Sequence, residues 1–83
     1  MNIKKSLTLA QPEVGELIRQ LRHEQKLTQE QFAASLGVTC LTVNRWENAR
    51  AQPSPLAMWR IETMLQELGE RGQELLAKYV LKS

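Results

Sequence analysis

The sequence predicts an all-α fold, a compact bundle of about five helices organised around a central pair of short ones. Three observations carry this prediction. Apolar residues recur at steps of three and four along successive stretches of the chain. Those stretches are punctuated by Pro12, Gly37, Pro53-Ser54-Pro55 and Gly69, residues that start or stop helices. Every acidic residue is Glu and none is Asp, which suits a helix-rich chain.

Residues 1–11 carry no clear helical period and read as a partly ordered arm, from which Lys4 and Lys5 either reach phosphate or stay in solvent. Pro12 suits the first turn of a helix, where its missing N–H is no loss. Val14, Leu17, Ile18 and Leu21 then form one apolar face to about Gln25, with Arg19, Arg22 and His23 off its centre. Lys26 and Leu27 make the loop into a second helix. Thr28 can cap it, with Gln31 at the capping-box spacing, and Phe32, Ala33 and Leu36 line its apolar side. Gly37 accepts a left-handed backbone at the helix end without a Cβ penalty. Thr39 can cap a third helix over about 39–48, with Val43 and Trp46 on its buried side.

Ser54 can cap a fourth helix whose first turn takes Pro55. Leu56, Ala57, Met58, Trp59, Ile61, Met64, Leu65 and Leu68 run to Gly69, more apolar surface than one face uses, so Met58 and Trp59 are expected to face a partner. Gly69 and Gly72 are expected to break the helix before a last apolar stripe of Leu75, Leu76, Tyr79 and Val80. A lone terminal helix has little to pack against, so this stripe is expected to form a homodimer contact rather than fold back on its own domain. The chain then divides into an arm (1–11), a central domain (12–69) and a C-terminal dimerisation helix (70–83).

Two helices joined by a short glycine turn make a helix-turn-helix, whose second helix lies in the DNA major groove. The outward face of the third helix suits that role. Cys40, Leu41, Asn44, Arg45 and Asn48 fall away from Val43 and Trp46 by steps of three or four. A merely solvated helix would normally show Glu and Lys pairs there. Arg45 can donate twice to guanine O6 and N7, and Asn44 can read adenine or hold a phosphate. Leu41 and the Thr42 methyl can touch thymine methyl groups, and Cys40 completes the base-contact set as a small space-filling residue. Contacts to the DNA backbone are expected from Thr28, Gln29, Thr39, Thr42, Asn48 and Arg50. Gln29 sits at a helix N-terminus, where free N–H groups and the helix dipole favour an anion.

The stretch LTQEQFAASLGVT..TVNRWEN resembles the helix-turn-helix of the phage lambda repressor and Cro (Xre-type) regulators, whose pattern runs roughly L-T-Q-x-x-L-A-x-x-x-G-V-S-x-x-x-I-x-x-W-E-N-G. The resemblance covers about residues 14–65. It implies a lambda repressor-like fold and a sequence-specific transcriptional regulator of double-stranded DNA, a repressor by expectation; the homodimer is expected from the C-terminal stripe, and a cytoplasmic location from the missing membrane-span and signal segments. It implies that Gln29 clamps the DNA backbone and that Arg22 pairs with Glu47. Glu47 borders the buried face, four residues after Val43, and an internal partner explains a carboxylate so near phosphates. The chain departs from the pattern at Cys40 and Leu41, where many relatives carry Gln or Ser, so no relative's target sequence transfers. Ala49 stands where the family usually has Gly, and Ala resists the left-handed conformation, which predicts a different end to this helix.

Composition narrows the alternatives. At 83 residues the chain is one small domain, and its net charge of +2 is too mild to nominate nucleic acid by itself. One cysteine and one histidine give neither an internal disulfide nor a metal site, and no cofactor is expected. No apolar run approaches the length that spans a bilayer, and the N-terminus lacks a signal-peptide core. No nucleophile with a neighbouring base, carboxylate pair or phosphate-binding glycine loop points to an enzyme, so no catalytic residue is assigned. The competing reading is an antitoxin-like or adaptor module, its C-terminal apolar helices meeting a protein such as a toxin or polymerase. A restriction–modification controller protein is a further variant within the same resemblance.

Overall fold

A computed structural model describes residues 9–80, Val80 by its backbone alone, so the expectations for Lys4 and Lys5 and for the Val80 side chain lie outside the described residues. Five helices follow one another among them: α1 (Glu13–Glu24), α2 (Gln29–Leu36), α3 (Cys40–Glu47), α4 (Pro55–Glu67) and α5 (Glu70–Val80). None is long and apolar enough to cross a membrane.

α1 is the hub of the bundle. Its stripe of Val14, Leu17, Ile18 and Leu21 is fully buried, and the helix packs against both α3 and α5. α2 adds Phe32, Ala33 and Leu36, α3 adds Val43 and Trp46, and α4 adds Ala57, Met58, Ile61 and Leu65. Burying a large apolar side chain stabilises by roughly 1.5–3 kcal/mol, so this one contiguous core is what holds a small chain together.

Local chemistry sets the helix ends. The Thr28 hydroxyl accepts the Gln31 N–H at 3.1 Å while the Gln31 side-chain oxygen accepts the Thr28 N–H at 2.9 Å, a complete capping box. Thr39 caps α3 by accepting the Thr42 N–H, and Ser54 caps α4 by accepting the Ala57 N–H, with Pro55 in the first turn. Gly37 ends α2 at φ 73°, a left-handed conformation that costs a residue with a Cβ about 1–2 kcal/mol.

Several expectations are corrected here. The segment taken as an arm is tied down from Leu9 onward: Leu9 is buried, and the Gln52 amide donates to its carbonyl at 3.0 Å. Met58 turns inward to the core, leaving Trp59 and Leu56 exposed on α4. Gly69, at φ 65°, separates α4 from α5, but Gly72 lies inside α5 and breaks nothing. A Cβ at Gly72 would run into the Leu65 carbonyl, so its role is close approach of the two helices. The stripe on α5 is consumed at home. Leu75 and Tyr79 are each only 2% exposed within this single chain, because α1 and α4 together offer the apolar surface that the terminal helix needs.

Candidate nucleic-acid interface

α2 and α3 are held at a fixed angle by a buried carboxylate. The Glu47 side chain, at the end of α3, is 1% exposed and accepts a fork from Arg22 of α1: Nε to Oε2 at 2.7 Å and Nη2 to Oε1 at 3.0 Å. Arg19 brings a second guanidinium to 3.5 Å from Oε1 and donates to the Glu47 backbone carbonyl at 3.2 Å. The Gln29 amide at the start of α2 donates to Oε1 at 3.1 Å, and Arg22 also donates to the Leu27 carbonyl in the loop before it. One side chain therefore joins α1, the entry to α2 and the end of α3.

Burial alone would push the Glu47 carboxyl up. The hydrogen bonds from Arg22 and Gln29, with the charges of Arg22 and Arg19, outweigh it and hold the group below the usual carboxylate range. The Arg22 guanidinium is raised in turn, chiefly by its hydrogen bond to Glu47. The negative charge at the end of α3 is thus already neutralised from inside.

The other side of α3 is open. Leu41, Asn44, Arg45 and Asn48 are exposed and, with Arg50 from the following loop, line one shallow concavity. Among the described residues no carboxylate pairs with Arg45 or Arg50. Cys40 and Thr42 are half-buried at the edge of this face. The hydroxyls of Thr28 and Thr39 are engaged as helix caps, and Thr42 shares a 2.8 Å hydrogen bond with Thr39. Asn48 donates back to the Asn44 carbonyl at 2.9 Å. Gln29 sits between the two helices with its amide nitrogen on Glu47 and its oxygen toward Asn44.

Ala49 does take the left-handed conformation, at φ 59°, so α3 ends as it would with glycine. The Ala49 N–H to the Trp46 carbonyl at 3.2 Å and the Arg50 N–H to the Arg45 carbonyl at 2.8 Å offset the Cβ strain. Two supporting residues escaped the sequence reading. Gln11 donates to the carbonyls of Trp46 and Ala51 and accepts the Gly15 N–H, bracing the turn that carries Arg50. Nothing in the apolar period marks Gln11. Arg19 had a signal, because it lies one turn before Arg22 on α1.

Set against known proteins, the chain matches the family model described as Helix-turn-helix over residues 18–70, well over half its length. Neither the curated proteins nor the solved structures give a match. Capped α2, the left-handed turn at Gly37 and capped α3 are the parts of that motif. The chain belongs to the lambda repressor/Cro-like helix-turn-helix family and is a DNA-binding regulator of that kind.

Proposed function

We propose that the protein is a sequence-specific repressor that binds duplex operators as a homodimer, with α3 in the major groove. Arg45, Asn44, Leu41 and Cys40 then read bases, while Gln29, Asn48, Arg50 and the threonines at positions 28, 39 and 42 set register on the phosphates. The observation that carries this reading is the outward face of α3. It exposes a guanidinium, two amides and a leucine around one concavity, while the Glu47 carboxylate at the end of the same helix is buried with its own cations. Two copies would meet half-sites about one helical turn apart.

Selection from a random duplex pool tests the proposal. It predicts enrichment of an inverted repeat, bound with an affinity that falls steeply with salt, by roughly 0.9 in log K per phosphate per log unit of salt. A flat salt dependence, or a pool that stays random, contradicts it. One observation favours a protein contact as well: Trp59 and Leu56 are about 60% exposed on α4, an unusual position for an indole in a small domain. That surface is where a second copy, or another protein, would meet the C-terminal helices.

A further inference from the structure

We infer that Gln11 is a positioning residue for DNA binding: from outside the helix-turn-helix it holds the turn after α3 so that Arg50 meets a phosphate. The inference rests on the proposed reading of Arg50 as a contact to the DNA backbone. Gln11 lies just ahead of α1, and its one side-chain amide joins three parts of the chain. The NH2 donates to the carbonyl of Trp46, in the last turn of α3, at 2.9 Å and to that of Ala51 at 2.6 Å. The amide oxygen accepts the Gly15 N–H at 3.0 Å, which anchors the group on α1 and settles which end donates. Gly15 makes the approach possible, because a Cβ there would run into the Trp46 carbonyl.

Only residues 47–50 separate the two carbonyls, so both ends of a short turn are pinned to one group. Within that turn Ala49 sits at φ 59°, a conformation its Cβ disfavours, and the pinned ends oppose its relaxation. Gln52 adds a second tie to the same segment, its amide donating to the carbonyl of buried Leu9 at 3.0 Å. Arg50 leaves this turn exposed and lines the concavity shared with Asn44, Arg45 and Asn48. A flexible arginine loses conformational freedom on binding a phosphate, and a backbone fixed beforehand lowers that cost. Both amide hydrogens of Gln11 are spent on carbonyls, so it acts through Arg50 and makes no DNA contact of its own.

Salt titration on an operator enriched from a random duplex pool tests this, with the wild type, Arg50→Ala, Gln11→Met, Gln11→Asn and Gln11→Met/Arg50→Ala. Met keeps the length of Gln without its hydrogen bonds, and Asn keeps the amide on a chain too short to span both carbonyls. All are assayed below their melting temperatures. A smaller folded fraction scales affinity by one factor at every salt concentration, so the slope separates positioning from stability. Arg50→Ala is expected to lower the slope of log K against log salt by about 0.9, one phosphate, with base preferences unchanged. Each Gln11 variant is expected to lower it equally although Arg50 is present, and the double variant to lose no more than Arg50→Ala. The inference is overturned if the Gln11 variants keep the wild-type slope while Arg50→Ala loses it, or if the double variant loses more. An Arg50→Ala slope equal to the wild type's, or a wild type that enriches no site, overturns the underlying reading and the inference with it.

Discussion

Two guanidinium–carboxylate clusters tie helices to α1, and they are built in opposite ways. On the α3 side, Arg22 and Arg19 enclose Glu47, whose side chain is 1% exposed. On the α5 side, Arg71 reaches Glu24 at 2.8 Å and Glu74 at 2.9 Å, with all three side chains open to water. The distances are alike, but solvent screening is not. An exposed pair contributes little, whereas removing one partner of a buried pair strands a charge where water cannot solvate it. The cluster behind α3 is the demanding one to disrupt, while α5 relies on Leu75 and Tyr79.

Breaking the apolar anchor of α5 should have the largest effect. Tyr79→Ala is expected to cost about 3–5 kcal/mol in chemical denaturation, the range for truncating a buried aromatic ring. Arg22→Ala follows at about 3 kcal/mol, the lower end for a broken buried pair, because Arg19 and Gln29 still face Glu47. A loss under about 1 kcal/mol would put this pair in the class of exposed ones.

Acid sharpens the contrast. Glu47 is held below its unfolded pKa, so its contribution is complete above roughly pH 4.3 and is lost as the pH falls through the lower folded value. Stability should therefore decline below about pH 4, with a slope that survives about 1 M salt and flattens in Arg22→Ala. The smallest effect belongs to Arg71→Ala, which should leave the denaturation midpoint unchanged within error and should not alter the salt-resistant part of the acid slope.

The same contrast explains what was legible in the sequence. Caps and turns are local, so Thr28 with Gln31, Gly37, Thr39 and Ser54 announced α2, α3 and α4 before any packing was known. Periodicity separated Val43 and Trp46 from Asn44 and Arg45. Which neighbour covers an apolar stripe is a tertiary matter, so Leu75 and Tyr79 were assigned to a second copy when α1 and α4 had room for them. Ala49 misled for a related reason: its preference against the left-handed conformation is about 1–2 kcal/mol, and the hydrogen bonds of the turn exceed it. Gln11 carries no periodic or motif signal at all, because the carbonyls it braces, those of Trp46 and Ala51, are distant in sequence.

Arg45 decides most directly whether the outward face of α3 reads DNA. On an enriched operator, Arg45→Ala should weaken binding by about 1–3 kcal/mol, relax the preference at a single guanine and leave the melting temperature unchanged, since Arg45 is exposed. An unaltered affinity, or a loss spread evenly over every base position, would contradict base readout by this helix.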